Sequence, residues 1–209
     1  MYKGKREGGN SMNTDAMDRR VRKTRKQLRE CLVALLKKKQ IQDITVRELT
    51  DMADLNRGTF YLHYKDVFDL LDRTESELLD EFNGLIQKHT ADDLIRRPFE
   101  IFNEIYTLVY KNADLVEILL GENGDLNFLN RMKQVIRDKC LHNWMEVVRT
   151  GNTAVFDAYF AFIVSGCVGL VQHWLRTGLK ETPEQMAHLT EKIISDQIHV
   201  LSENPFEMK

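Results

Sequence analysis

The sequence predicts an all-α fold. Proline occurs at only three of 209 positions, Pro98, Pro183 and Pro205. Apolar residues recur at intervals of three and four, and no stretch alternates apolar with polar residues for long enough to form a strand. With 43% hydrophobic and 30% charged residues, the chain has the composition of a soluble globular protein able to bury a sizeable core.

Taken in order, residues 1–18 mix Gly, Ser, Asn and Met without periodicity and read as a disordered arm. The first helix is predicted over Arg20–Lys39, with Leu28, Leu32 and Leu35 on its core-facing stripe. Its start is crowded with cations, from Arg19 through Arg22 and Arg25 to Arg29. They oppose the helix dipole, an arrangement that an external anion such as a phosphate backbone would offset.

After a loop over Gln40–Ile44, Thr45-Val46-Arg47-Glu48 fits a capping box. There the Thr hydroxyl and the Glu carboxylate each satisfy a free amide, starting a helix over Val46–Ala53. Asp54-Leu55-Asn56 makes a turn, and Asn56 caps a short helix over Arg57–His63. Asp66 caps a long fourth helix carrying Phe68, Leu71, Leu78 and Phe82. Further helices are predicted over Pro98–Asn112, Ala113–Leu120 and Asp125–Val148, with Gly121–Gly124 as the break. The last two run over Val155–Arg176, closed by Thr177-Gly178, and from Pro183 to about Glu203.

Charge divides the chain. Residues 1–65 hold 16 Lys/Arg against 8 Asp/Glu, whereas residues 66–209 hold 14 against 24. A basic third suits a polyanion and an acidic remainder repels one, so the polarity would orient the molecule on nucleic acid. Cys31, Cys140 and Cys167 form no CxxC pair, which speaks against a disulfide framework or a zinc site. Gly-rich phosphate loops, GxSxG and HExxH are all missing and the histidines stand singly, so no enzyme, cofactor or metal is expected. No uninterrupted run of eighteen apolar residues is present, and the polar, Gly-rich start is unlike a leader. A cytoplasmic protein without a membrane partner is expected.

Two short helices joined by a three-residue turn and preceded by a basic helix match the helix-turn-helix plan, in which the second short helix enters the major groove. If Phe60 and Tyr64 face the core, Gly58 and Leu62 point away from it, with Thr59 and Tyr61 on the flanks. An outward leucine beside a threonine suits thymine methyl groups and base edges. Arg57 and Arg47 each offer a bidentate pair to guanine, while Thr45, Tyr61, His63 and Lys65 carry groups suited to phosphate oxygens.

The segment Thr45 to Lys65, TVRELTDMADLNRGTFYLHYK, resembles the DNA-binding segment of the TetR/AcrR family of bacterial regulators. The family pattern is a capped helix, a turn, then a threonine followed by two bulky residues, a histidine or tyrosine and an aromatic. Thr59, Phe60, Tyr61, His63 and Tyr64 stand in those places. The resemblance implies a homodimer of nine- or ten-helix subunits, with N-terminal reading heads and a C-terminal core that binds a small ligand. Three positions depart from it: Asp54 stands for a common Gly, Thr50 for Ala, and Val67 for a phosphate-binding Lys. The family role of that lysine then falls to Lys65 and the amides of helix four. Asp125-Leu126-Asn127-Phe128-Leu129, with Gly166 to Trp174 and Gly178, is also similar to the subgroup related to the dihydroxyacetone-kinase operon activator, which responds to a protein partner.

In the C-terminal part, Phe102, Tyr106, Phe128, Met132, Trp144 and Phe162 are candidate pocket residues; ordinary core packing is the alternative. Tyr159 to Trp174 is apolar around most of its circumference. Ser165, Gly166, Gly169 and Trp174 there, with Met186, Leu189, Ile193 and Val200 on the last helix, are candidates for a four-helix dimer interface; packing within a monomer is the alternative.

The organisation expected is thus an arm (1–18), a three-helix helix-turn-helix DNA-binding domain (19–65), and a larger helical ligand-binding and dimerisation domain (66–209). The function expected is a sequence-specific, homodimeric transcriptional regulator acting on a double-stranded DNA operator, a repressor released by a small-molecule effector. An activator controlled by a protein partner and a ligand-independent DNA-binding protein are the alternatives.

Overall fold

A computed structural model describes residues 11–90, 93, 97–121, 124–147 and 153–195, with 11–18, 140–147 and 153–156 described by backbone course alone. The described residues form α-helices and no strand. In order these are α1 (Ser11–Leu36), a 3-10 turn (Ile41–Asp43), α2 (Val46–Met52), α3 (Arg57–Tyr61) and α4 (Val67–Lys88). They continue as α5 (Pro98–Lys111), α6 (Ala113–Leu120), α7 (Leu126–Val147), α8 (Thr153–Arg176) and α9 (Pro183–Ser195).

The first helix begins at Ser11 instead of Arg20, so helix replaces the expected arm over residues 11–18. Neither Gly nor Pro occurs between Ser11 and Leu36, and once a helix is nucleated each further residue adds to it at little cost. Arg19 to Arg29 consequently lie beyond the first turn of α1, where the dipole argument made for them loses its force.

The chain separates into two compact units, residues 1–75 and 76–209. The division falls inside α4, ten residues beyond the expected end of the head at Lys65, because Val67 and Leu70 of α4 belong to the first core. That core draws Leu28, Cys31, Leu32 and Leu35 from α1, Leu49 from α2, Phe60 from α3, and Ala53 and Tyr64 from the turns. Each large apolar side chain buried there stabilises the head by roughly 1.5–3 kcal/mol.

In the second unit α5 and α9 pack along one another, and α6 contacts α5, α7 and α8. Phe82, Leu85 and Ile86 of α4 pack with Ile101 of α5, and Arg137 of α7 reaches Asp157 of α8 at 2.9 Å. Helix α8 ends as expected at Thr177-Gly178: Gly178 takes φ +80°, and the Leu179 amide bonds the Trp174 carbonyl at 3.0 Å. By length and composition alone, Asp157–Arg176 is apolar enough to cross a membrane even though polar residues interrupt it. Its Val164, Val171, Trp174 and Leu175 are buried within the unit.

Candidate nucleic-acid interface

The helix-turn-helix is assembled by side-chain caps. The Thr45 hydroxyl accepts the Glu48 amide at 3.2 Å and starts α2. Only half of the expected reciprocal box forms, because the Glu48 carboxylate pairs instead with the Lys39 ammonium. A charged partner holds a carboxylate more strongly than a neutral amide does. Thr50 is buried where the related family favours Ala, and its hydroxyl is satisfied by the carbonyls of Val46 at 2.9 Å and Arg47 at 3.0 Å.

The turn depends on Asp54, whose φ of +50° lies in the left-handed region that favours Gly. With it the Leu55 amide bonds the Thr50 carbonyl at 2.9 Å and the Asp54 amide the Asp51 carbonyl at 3.4 Å, which closes α2. Gln27 of α1 donates to the Ala53 carbonyl at 2.6 Å and ties the turn to the first helix. Asn56 then accepts the Gly58 amide at 2.8 Å and opens α3.

This framework determines what α3 displays. Phe60 is fully buried and Tyr64 nearly so, while Leu62 is 81% and Tyr61 57% exposed. Arg57 and Gly58 are exposed and Thr59 and His63 half-buried, matching the expected rotation of the helix. Arg22, Arg25, Thr45, Arg47 and Lys65 are exposed as well. Arg47 sits 3.6 Å from Asp51, an exposed pair that opposes its recruitment to a base only weakly. Burial and the nearby Arg25 cation hold the His63 imidazole below its ordinary pKa, which favours the neutral ring in the free protein.

The start of α4 departs from expectation. Val67 is buried in the head core, so its position faces inward. The Asp69 amide is taken by the Asp66 carboxylate at 2.8 Å and the Lys65 amide by the Asp69 carboxylate at 2.9 Å. The Lys65 hydrogen bond first, then Arg73, hold the Asp69 carboxyl below its usual range. These two carboxylates would meet a phosphate with like charge, so the helix-four amides lose the role expected of them. The Lys65 side chain stands exposed beside them. Phe68, which helical spacing groups with Leu71, Leu78 and Phe82, is 55% exposed beside them.

The second unit holds a cavity of about 210 Å³. Of the six expected pocket residues, Phe102, Tyr106, Phe128 and Met132 line it. Phe162 does not: it is 62% exposed, and its neighbours Ile163 and Val164 take the inward positions. Trp144 lies outside the residues whose side chains are described. Ile163, Cys167 and Val171, spaced by one helical turn on α8, and Thr190 on α9 were missed, although their i, i+4, i+8 spacing is legible once the buried face of α8 is known. Burial pushes the Cys167 thiol up to about 11, so it stays protonated.

The expected dimer face divides as well. Ser165, Gly166, Leu189 and Ile193 are exposed and Gly169 half-buried. Trp174 and Met186 are buried inside their own unit and cannot form an outer face. The Trp174 ring packs edge-to-face with Tyr106 at 5.4 Å, and its N–H donates to the Glu181 carbonyl at 3.0 Å. On α8 Trp174 lies about 180° around the helix from Ser165, which is why a purely apolar reading of the helix misplaced it. Val200 falls outside the described residues.

Residues 96–196 match a TetR C-terminal family model, described as a transcriptional regulator C-terminal region. An uncharacterized HTH-type transcriptional regulator of Bacillus subtilis (strain 168), YxbF, is 21% identical over 180 residues, or 82% of this chain and 44% of the relative. The chain thus spans less than half the length of that curated relative. A TetR transcriptional regulator from Streptococcus agalactiae 2603V has a similar fold, with a TM-score of 0.57 at 21% identity over 87% of this chain and 98% of that one. The dihydroxyacetone kinase operon activator DhaS matches with a TM-score of 0.58 at 13% identity over 85% of this chain and 97% of its own.

Proposed function

Since the chain belongs to the TetR family of transcriptional regulators, we propose that it binds a specific double-stranded operator as a homodimer and is a repressor released by a small molecule. The observation that carries this reading is the display of Arg57, Tyr61 and Leu62 on the open side of α3 while Phe60 and Tyr64 anchor its other side. Arg57, Thr59 and Leu62 read base edges; Arg22, Arg25, Thr45, Tyr61, His63 and Lys65 position the phosphates; Arg47 does either once released from Asp51.

The cavity supports a small-molecule effector over the protein-partner and ligand-independent alternatives, because a concave apolar space favours occupancy by a compact ligand. Helix α4 supplies Val67 and Leu70 to the head core and Leu78, Phe82 and Ile86 to the cavity wall. Ligand occupancy is therefore relayed along α4. Ser165, Gly166, Gly169, Leu189 and Ile193 form the homodimer face, where small residues permit close helix approach.

Binding of the full chain to fragments of its own regulatory region, compared with random DNA of equal length, tests the central claim. A preference of roughly a thousandfold or more is expected at physiological salt. Equal affinity for both would overturn sequence-specific regulation.

A further inference from the structure

Among the described residues, no charged side chain lines the cavity, so the described wall offers no counter-ion to a charged ligand. Its volume sets the scale of the ligand part it surrounds: roughly 150 Å³ takes a six-atom benzene ring, so about 210 Å³ takes roughly eight heavy atoms. Polarity enters through the paired hydroxyls of Tyr106 and Thr190, 2.7 Å apart and both buried, with Tyr159 and Cys167 elsewhere in the lining.

The protons of the hydroxyl pair can be placed. Thr190 donates its one proton to the Met186 carbonyl, a turn back on α9, at 2.9 Å. The contact with Tyr106 then requires the Tyr106 hydroxyl to donate to the Thr190 oxygen. Both donors of this pair are committed inside the protein, so the pair offers a guest only acceptor lone pairs, the Tyr106 Oη among them. Burial pushes the Tyr106 pKa up to about 12, so the phenol keeps its proton at any physiological pH.

We propose that the effector is an uncharged, largely hydrocarbon molecule of about eight heavy atoms bearing a hydroxyl group, which donates its hydrogen bond to Tyr106 Oη. This rests on the reading of the cavity as the effector site. At Tyr106 Oη a ketone, ester or ether of the same size brings an acceptor to an acceptor; a carboxylate brings a charge into a largely apolar space.

The test uses the full chain and three probes, 1-heptanol, 1-methoxyhexane and heptanoate, with affinity read by calorimetry in the absence of DNA. Heptanol should bind about tenfold more tightly than the ether and at least tenfold more tightly than heptanoate at pH 7. Replacing Tyr106 by Phe should bring alcohol and ether to within about twofold of one another. Thr190→Val is the sharper variant, because it removes the acceptor of the Tyr106 proton and turns Tyr106 into a donor. The ether should then bind at least as tightly as the alcohol, and Thr190→Ser should restore the original order.

Equal binding of alcohol and ether to the unmodified chain, preference for heptanoate, or binding of none of the three overturns the inference. So does loss of the preference in Tyr159→Phe in place of Tyr106→Phe. Circular dichroism shows which variants fold, and either Tyr106→Phe or Thr190→Val alone suffices to decide. Release of operator DNA is measured separately: the expected binding order without release removes the effector reading and leaves the cavity's chemistry standing.

Discussion

Phe60 and Leu62 stand two residues apart in the recognition segment, the first fully buried and the second 81% exposed. One is a structural anchor and the other a displayed side chain. Phe60→Ala should destabilise the protein by roughly 3–5 kcal/mol, since the ring fills the head core. Leu62→Ala should change stability by less than about 0.5 kcal/mol yet weaken operator binding. Chemical denaturation and electrophoretic mobility shift on the same two variants separate these effects.

Arg57 and Lys65 are both exposed cations, but they are expected to fail differently. Arg57→Ala should cost about 1–3 kcal/mol on the operator and relax preference at one base position. Lys65→Ala should weaken all sequences alike and lower the slope of log affinity against log salt by about one. Titrations on operator and scrambled DNA at several salt concentrations distinguish the two. Indistinguishable behaviour would refute the assignment of reader and positioner.

Asp54 supports the turn at φ +50°. Glycine adopts this geometry without strain, so Asp54→Gly should raise stability by up to about 1 kcal/mol. A β-branched residue suffers most there, and Asp54→Val should lower stability by about 1–2 kcal/mol. Thermal melts of the pair check the sign of each change.

The depressed pKa of His63 has opposite consequences for folding and binding. Because folding favours the neutral ring, its contribution to stability is complete above the unfolded value near 6.5 and is lost as pH falls through the folded one. A phosphate beside the ring favours the cation instead, so operator binding takes up a proton and tightens over the same range. Replacing His63 by Gln should flatten this part of both pH profiles; an unchanged binding profile would remove His63 from the phosphate contacts.

How far the sequence could be read depended on whether the signal was local. Thr45, Asn56 and Asp66 act on amides two or three residues away, and each was identifiable as a cap without tertiary information. The alternation of Phe60 and Tyr64 with Gly58 and Leu62 follows from helical geometry once one face is assigned to the core. Glu48 was misread because its partner, Lys39, lies in a preceding loop and competes with the local amide.

By itself the sequence determined the all-α class, most helix boundaries and the outward face of α3, because hydrogen-bonding caps and apolar periodicity act within a few residues. Only the tertiary structure decided which side of α8 is interior. There apolar residues surround the helix, so periodicity selects no face; Trp174 packs inward against Tyr106 and Tyr110 of α5 while Phe162 remains outside. The Tyr106–Thr190 pair, 84 residues apart in the chain, likewise exists only because α5 and α9 pack side by side. The recognition surface is written locally, whereas the cavity is a product of long-range packing.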